Sequence, residues 1–422
     1  MLNKTEELIT FTKQALGLHD YHLYSHHFQR KVNLFNETVY TLEMEWFPAH
    51  IDSREEDGTN PHGTACIEID VHTRQFQSIV FVGGQTAAKK GQFTREDGGD
   101  VIQWVEKETG LIYGQHFYLS HQERGKLRFA AGVDGTPVSP SGSLEIEWDD
   151  AGRLTFYAKY GYFPSKQQAR EERFSLTLEQ IQSMAREQLK LLQVPSQKEQ
   201  RIMPVYALEE IYISNDLSAT IPFEPLIEAP SSLSVDEILH WETPLNGSFH
   251  RQEVEHAEVV TPAQAFSGEA SPDANPISPD DQQSCVHAVL HVLRQEYPQE
   301  SGQWRLKTLY RDQGYIHAVL RRKEESRFAL KRKLVVIIDP HRFEVLNYVD
   351  NLGLLEMFSQ WPKSSQVAVT KEEAYDKLKD LFTLTPTYVY DQGQRMYRLC
   401  GQLDCTYGVQ AENGQVLILE EF

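Results

Sequence analysis

A short hairpin pattern recurs along this chain and limits what it can fold into. Four stretches place an alternating strand before an acidic residue, a polar turn and a second strand: IEIDVHTRQFQSIV, IEWDDAGRLTFY, VVIIDPHRFEVLNY and GVQAENGQVLILE. Period-two alternation around turn residues predicts antiparallel β-hairpins. In these hairpins the first strand is predicted to end at Asp70, Asp150, Asp339 or Glu412, and the second to begin at Arg74, Arg153, Arg342 or Gln415.

The second hairpin allows a prediction for single residues. Alternation with Leu144 and Ile146 places Trp148 in the core between sheet and helix, with the intervening acidic residues facing water. Gly152 falls in the tight turn, where we expect a positive φ.

A predicted helix precedes most of these hairpins. A capping residue followed three positions later by a carboxylate or amide marks a helix start. Five such pairs occur: Asn3 and Glu6, Thr94 and Asp97, Thr177 and Gln180, Ser278 and Asp281, and Thr370 and Glu373. Successive pairs begin 91, 83, 101 and 92 residues apart, which is the size of a small domain rather than of a solenoid repeat.

These patterns predict an α+β fold of tandem repeats, each with one helix packed on an antiparallel β-meander. The unit that opens at Thr177 has the helix LEQIQSMAREQLKLLQV but no closing hairpin. We therefore expect this degenerate unit to complete the preceding sheet of an N-terminal lobe.

An acidic stretch divides the chain into two lobes. From Glu228 to Asp281 there are eleven acidic residues and one basic residue, and a run rich in Pro, Ser, Gly and Ala predicts a flexible linker. The predicted ranges are 1–90 for repeat 1, 91–173 for repeat 2, 174–240 for the degenerate repeat, 241–277 for the linker, 278–365 for repeat 4 and 366–422 for repeat 5.

Charge and composition exclude several classes of protein. A formal charge of −20 argues against nucleic-acid binding, because phosphates would be repelled. The N-terminal MLNKTEELITFTKQALGL carries charges where a signal peptide is apolar, and no apolar run approaches the ~18 residues of a spanning helix. We therefore expect a cytoplasmic location and no membrane partner.

The four cysteines, Cys66, Cys285, Cys400 and Cys405, are too few and too scattered for a disulfide framework. Cys400 and Cys405 lie close together in the sequence but lack the second pair of ligands of a zinc site. Their spacing favours two buried thiols on a strand.

Four histidines, His19, His22, His26 and His27, lie within nine residues, and imidazole is the commonest metal ligand. On a strand His22 and His26 would share a face, while His19 and His27 would point the other way. Further ligands would have to come from elsewhere, so we expect surface and partly buried histidines, with a metal site as the alternative.

The run RRKEESRFALKRK, from Arg321 to Lys333, has seven basic and two acidic residues on an acidic protein. Phe328 is its one aromatic residue, and single-stranded nucleic acid needs several stacking aromatics. A solvated hairpin tip is favoured over a nucleic-acid patch. The run could also contact an acidic segment of the same chain or of another copy.

No catalytic signature is present in the sequence. It contains no G-x-S-x-G, no H-E-x-x-H and no cysteine in a protease signature, and carboxylate pairs such as Asp149 and Asp150 fall in turns. The sequence therefore predicts no catalytic, cofactor-binding or metal-binding residue and no cofactor. The spacing of residues in the sequence does not exclude a catalytic site whose residues come from different units.

The segment AGVDGTPVSPSGSLEIEWDDAGRLTFY resembles the PepSY-type domains and the YcdB/YcdC-type tandem repeats of Gram-positive bacteria. In that pattern a strand leads into a Gly-x-Pro-Val kink, here 135–138, and a hairpin with an acid, a glycine and a base follows, here Asp150, Gly152 and Arg153. The segments VTKEEAYDKLKDLF and MPVYALEE are also similar to the family. The resemblance implies a non-enzymatic regulatory or protease-restraining role.

Together these features predict a non-catalytic binding or regulatory scaffold that restrains a protease, or binds an unknown protein or peptide through its sheet faces. The 45 aromatic residues suit either a concave binding face or the core. The alternative is an enzyme of unknown, hydrolase-like reaction with its site between the lobes. Desolvated titratable groups converging in a cleft would favour that alternative. The sequence does not predict the oligomeric state.

Overall fold

A computed structural model describes residues 2–93, 98–223, 232–254, 259–323 and 328–421. They form a mixed α+β structure with mainly antiparallel sheets, which confirms the predicted class. The chain divides into two compact units. Unit 1 comprises Met1–Glu171, Ala257–Ala274 and Thr387–Arg398; unit 2 comprises Glu172–His256, Asn275–Pro386 and Leu399–Phe422. The units interleave along the sequence. The six predicted ranges stay a prediction, and the tandem-repeat organisation is not confirmed.

The described residues contain seven α-helices: α1 (Leu2–Leu16), α2 (Gly99–Thr109), α3 (Gln182–Gln188), α4 (Pro262–Ser267), α5 (Pro279–Glu296), α6 (Leu352–Glu356) and α7 (Lys371–Leu378). Their strands are β1 (Tyr21–Val32), β2 (Thr38–Pro48), β3 (Ala65–Asp70), β4 (Phe76–Phe81), β5 (Phe117–Glu123), β6 (Lys126–Val133), β7 (Thr136–Ser139), β8 (Ser143–Trp148), β9 (Leu154–Tyr160), β10 (Leu189–Ser196), β11 (Arg201–Leu208), β12 (Ile211–Ser214), β13 (Thr220–Pro222), β14 (Leu233–Leu239), β15 (Trp304–Asp312), β16 (Tyr315–Arg322), β17 (Lys333–Ile338), β18 (Val345–Asp350), β19 (Thr383–Asp391), β20 (Met396–Asp404), β21 (Tyr407–Gln410) and β22 (Val416–Ile418). None of these helices combines the length and the apolar composition that crossing a bilayer requires.

Unit 1 is built on an antiparallel sheet with strand order β1-β2-β3-β4-β9-β8-β6, and β5 and β7 also pair with β6. Two residues of β19, Tyr388 and Val389, pair in parallel with β7. Apolar side chains of α1 and α2, among them Leu8 and Val105, are buried in one core with alternate residues of the strands. Both helices therefore contribute to the core on one side of the sheet.

Unit 2 contains two apolar cores. The first joins α5 to a five-stranded antiparallel sheet of order β14-β15-β16-β17-β18, with Val289 and Leu320 among its fully buried members. The second joins α3 and α7 to the four-stranded sheet β10-β11-β21-β22, with Ala185 and Leu378 among its members. Strand β12 pairs with β13 and with residues 400–403 of β20.

The helix-start predictions have different outcomes. At the starts of α5 and α7, Ser278 and Thr370 form the predicted capping boxes, which confirms both. The Thr177 hydroxyl accepts from the Gln180 N–H as predicted, yet α3 spans only Gln182–Gln188. The longer predicted helix is wrong because Leu189–Ser196 pair with β11 instead. Asn3 lies inside α1 rather than at its cap, and the pair Thr94 and Asp97 lies outside the described residues.

The acidic linker predicted for residues 241–277 is not confirmed. This stretch contains α4, which opens with a capping box between Thr261 and Gln264. The Phe266 ring packs edge-to-face on Phe28 at 5.6 Å between centroids, and Ala265 is fully buried. Burial of these apolar side chains offsets the entropy cost of ordering the segment. The composition of the segment did not indicate this burial.

The four predicted hairpin turns have similar hydrogen bonds, and the second turn is one residue shorter than the other three. In each turn, the carbonyl of the first turn residue accepts a hydrogen bond from the N–H of a residue with positive φ. The N–H of the first turn residue donates to the carbonyl of the residue that follows the one with positive φ. These pairs are Asp70 and Arg74, Asp149 and Gly152, Asp339 and Phe343, and Gln410 and Gly414. The positive φ predicted for Gly152 is confirmed. The turns start at Asp149 and Gln410, so the predicted strand ends at Asp150 and Glu412 are wrong.

The register predicted for β8 is confirmed in part. Leu144 and Ile146 are fully buried in the unit 1 core, as alternation required. A bulge between Glu147 and Trp148 interrupts the pairing with β9, and Trp148 is only partly buried. Its ring packs against Phe93 at 5.8 Å between centroids. The extra residue of this bulge, Thr155, lies on β9, and the alternation of β8 does not reveal it.

Candidate functional site

A cavity of about 1050 Å3 opens in unit 2 and is the candidate site. Its walls come from the end of β16, the segment before β17, α6 with the turn after it, and strands β10 and β11. The apolar lining residues are Ile202, Phe328, Leu330, Leu352, Leu355 and Phe358. The charged lining residues are Arg322, Lys323, Arg332, Glu356 and Lys363. The volume is at the upper end of cavities that hold small ligands.

Backbone hydrogen bonds fix two walls of this cavity. The Ala329 N–H donates to the carbonyl of Gln193 on β10, at 2.9 Å. The Ser364 N–H donates to the carbonyl of Ile202 on β11, at 3.1 Å. Two segments without regular secondary structure are thereby tied to adjacent strands of one sheet, so the lining side chains project from a fixed backbone.

One part of the lining is aromatic and continues onto the surface. The Phe328 and Phe358 rings lie 6.3 Å apart between centroids, and Trp361 packs edge-to-face on Phe358 at 5.0 Å. Next to the lining residues of α6, Leu354 is 47% exposed and Met357 is 65% exposed. Apolar side chains are therefore exposed directly beside the apolar part of the cavity lining.

Arg332 lies in the cavity wall with a side chain only 6% exposed. Its Nη2 atom is 2.9 Å from Asp350 Oδ2, and its Nη1 atom is 3.5 Å from Glu300 Oε1. The guanidinium also lies over the rings of Tyr297 and Trp304. The predicted solvated hairpin tip is therefore wrong at Arg332, because two carboxylates offset the cost of burying its charge.

Asp350 connects this arginine to α6. It accepts hydrogen bonds from the Tyr297 hydroxyl at 2.7 Å and from the Leu352 N–H at 2.9 Å. Burial alone would raise the pKa of Asp350, but the hydrogen bonds from Arg332 and Tyr297 outweigh it and hold this pKa below its usual value. Burial and the hydrogen bond to Asp350 raise the pKa of Tyr297. The network thus fixes the start of α6 against β18.

The remaining cations of the lining differ in their partners. Arg322 Nη2 donates to Gln303 Oε1 at 2.6 Å and lies 3.6 Å from Glu300. Lys323 and Lys363 are exposed, and within the described residues neither ammonium group has an ion-pair partner. Among the described lining residues, these two ammonium groups stand with the one carboxylate of Glu356, on a protein whose net charge is −20.

The described lining residues also include three serines, together with Glu356, Lys323 and Lys363 but with no histidine, cysteine or aspartate. The Ser359 hydroxyl donates to the carbonyl of Glu356 at 2.7 Å, as in a local turn.

The histidine-rich strand does not form the arrangement that the sequence predicted. A bulge between Leu23 and Ser25 places His22 opposite Phe47 and His26 opposite Met44. Since these two partners are three residues apart on β2, His22 and His26 lie on opposite faces, and the predicted shared face is wrong. Within the described part of the chain, no three His, Cys, Asp or Glu side chains are arranged to hold a metal ion.

The cysteines are free thiols. Cys400 on β20 and Cys405 just after it are both buried, which confirms the two buried thiols that their spacing favoured. Burial raises the pKa of Cys285 to about 12 and also raises the pKa of Cys405. Neither thiol is therefore available as a thiolate at neutral pH.

A second polar cluster lies in unit 1 but satisfies itself. The Glu45 carboxylate accepts hydrogen bonds from Ser25 at 2.6 Å, Arg54 at 2.5 Å and Asn60 at 2.9 Å. Burial alone would raise the pKa of Glu45, but these hydrogen bonds hold it below its usual value. Burial raises the pKa of the neighbouring Cys66 thiol. The cluster ties the loop 49–64 to β2.

Comparison with known proteins gives little further information. No protein-family model matches the chain, and no curated protein matches it. Among solved structures, the chain is similar to the C-terminal domain of YpeB from Bacillus megaterium. That match has a TM-score of 0.27 and 8% identity, covering 82% of this chain and 96% of that chain. At this TM-score it supports no conclusion on function, and the PepSY-type resemblance stays a prediction.

Proposed function

We propose that this chain is a non-catalytic binding scaffold and that unit 2 holds a segment of a peptide or protein partner in its cavity. The cavity of about 1050 Å3 with its aromatic lining is the observation that carries the proposal. A side chain that enters it gains ~25 cal/mol for each Å2 of apolar surface removed from water. Leu354 and Met357 would then be covered by the flanking part of the partner.

The composition of the lining supports binding over catalysis. Catalytic clefts bring together titratable groups with strongly shifted pKa values that can exchange protons with a substrate. Here Asp350 and Tyr297 have shifted pKa values, but Tyr297 donates its hydrogen bond to Asp350, and Asp350 also accepts one from Arg332. They therefore support the wall rather than act on a bound molecule.

We also propose that the scaffold is a tandem array of one helix-and-meander unit. The support is the similar hydrogen bonding of the four hairpin turns, including the positive φ at Arg74, Gly152, Phe343 and Gly414. A positive φ is uncommon for a residue such as Phe343, so its recurrence at one turn position favours a repeated unit over chance. Restraint of a protease and a cytoplasmic location stay predictions.

A displayed library of random peptides, selected on the full chain, tests the binding proposal. Recovered peptides are synthesised with a fluorescent label, and their affinities are measured by anisotropy on three variants. Leu355→Trp and Ser365→Trp fill the cavity from two sides and should weaken binding about tenfold or more. Leu381→Trp, on an exposed leucine outside the lining, should leave affinity unchanged. If every recovered peptide binds all three variants with equal affinity, the cavity is not the binding site.

A further inference from the structure

We infer that the partner segment is acidic, with carboxylates flanking a bulky apolar side chain. This inference rests on the proposed function and adds the chemistry of the partner. Within the described residues the cavity offers an aromatic floor and more ammonium groups than carboxylates at its rim, and such a surface selects a ligand that is both apolar and acidic.

Lys323 and Lys363 carry the argument because their backbones are fixed while their ammonium groups have no ion-pair partner among the described residues. The Lys323 N–H donates to the carbonyl of Gln303 at 2.6 Å. Lys363 forms a parallel bridge with Ile202 on β11. Each lysine is therefore anchored at the cavity by its main chain, and its side chain is left to contact a ligand.

The neighbouring arginines do not compete for this role. Arg332 pairs with Asp350 and Glu300, while Arg322 lies 3.6 Å from the same Glu300 and donates a hydrogen bond to the Gln303 side-chain oxygen. The two carboxylates balance the two guanidinium charges within unit 2. Of the charged lining residues that the structure describes, this leaves two ammonium groups and the Glu356 carboxylate, which is an excess of positive charge.

An acidic peptide fits these observations better than nucleic acid does. Binding of single-stranded nucleic acid needs a basic groove along several phosphates and a row of stacking aromatics. Two lysines on a chain of net charge −20 do not supply such a groove. They do suffice to orient a segment whose apolar side chain supplies most of the affinity.

The peptides recovered from the displayed library test this inference. They should be enriched in Glu and Asp beside Leu, Phe or Trp, and replacing their acidic residues by amides should weaken binding about tenfold. The double variant Lys323→Glu/Lys363→Glu should weaken the binding of the unmodified peptides by the same factor. Lys190→Glu/Lys198→Glu makes the same charge change at two exposed lysines outside the lining and should have little effect. Affinity should also fall as salt rises.

The outcomes separate this inference from the proposed function. Peptides that lose affinity for Leu355→Trp but not for Lys323→Glu/Lys363→Glu leave the binding function standing and reject the acidic partner. Enrichment of basic peptides, or equal binding of single-stranded DNA, would also reject it. Self-association of the wild-type chain that Lys323→Glu/Lys363→Glu abolishes, measured by sedimentation, would replace an outside partner with a second copy.

Discussion

Arg332 Nη2 lies 2.9 Å from Asp350 Oδ2 in a pair whose side chains are only 6% and 10% exposed. Arg332 lines the unit 2 cavity, and Asp350 also accepts a hydrogen bond from the first N–H of α6. Burying two charges is favourable only while both are present, because each offsets the desolvation of the other. The stability of unit 2 should therefore depend on both partners.

Replacing Arg332 by Ala should lower the free energy of unfolding by about 3–5 kcal/mol, because Asp350 is left as a buried charge without its main partner. Arg342→Ala is the control: this arginine is 61% exposed and pairs with Glu344 at 3.3 Å. An exposed pair contributes about 0–1 kcal/mol. Urea denaturation of both variants measures the difference, and equal small losses would contradict the buried pair.

Gly152 and Gly135 provide a matched test of the hairpin turn. Both have positive φ, at 76° and 80°. A Cβ atom on Gly152 would lie 2.1 Å from the carbonyl oxygen of Phe93, whereas one on Gly135 would meet nothing within 4 Å. Gly135→Ala should cost about 1–2 kcal/mol for the left-handed conformation alone. Gly152→Ala should cost clearly more in thermal denaturation; equal costs would show that the turn adapts.

Asp149 and Asp150 are adjacent in the sequence but differ in their contacts. Asp149 Oδ1 accepts the N–H groups of Ala151 and Arg153, both at 2.9 Å, whereas the Asp150 side chain is 91% exposed. Asp149→Ala should cost about 1–3 kcal/mol because two turn hydrogen bonds are lost. Asp150→Ala should cost about 0–1 kcal/mol. The midpoints of urea denaturation measure both losses of stability. Equal losses for the two variants would show that the hydrogen bonds of Asp149 do not stabilise the turn.

The sequence predicted those features whose signals are local. Hairpin strands follow from period-two alternation, and the caps at Ser278 and Thr370 follow from side chains that bond within one turn. The bulges in β1 and β9 were not predicted, because one extra residue leaves the alternating pattern nearly unchanged while it reverses the faces of the residues beyond it. Strand β10 was predicted as helix since its leucines fit both periods, and pairing with β11 decided between them.

The candidate site could be predicted only in part. The basic run 321–333 signalled unusual charge, yet the cavity also needs Gln193, Ile202 and the segment 352–365, which are distant in the sequence. Burial of Arg332 depends on Asp350 and Glu300, and neither is marked by a motif. A site assembled from single residues of several strands leaves no spacing pattern, so its chemistry appears only when the sheets are formed.

Acidification provides the last test of the Arg332 and Asp350 pair. The folded-state pKa of Asp350 lies below its usual value because its hydrogen bonds favour the carboxylate. A depressed pKa contributes stability that is present above the unfolded value of about 3.9 and is lost as pH falls through the folded value. Wild type should therefore exceed Asp350→Asn in free energy of unfolding at pH 7, and the gap should shrink below about pH 4. Subtracting the free energy of unfolding of Asp350→Asn from that of wild type at each pH removes the contributions of Glu45, Asp149 and the other carboxylates, which both proteins share. For the control Asp150→Asn, the free energy of unfolding should follow that of wild type at every pH in the same urea titrations. A difference between wild type and Asp350→Asn that stays constant down to low pH would show that Arg332 does not stabilise the carboxylate charge.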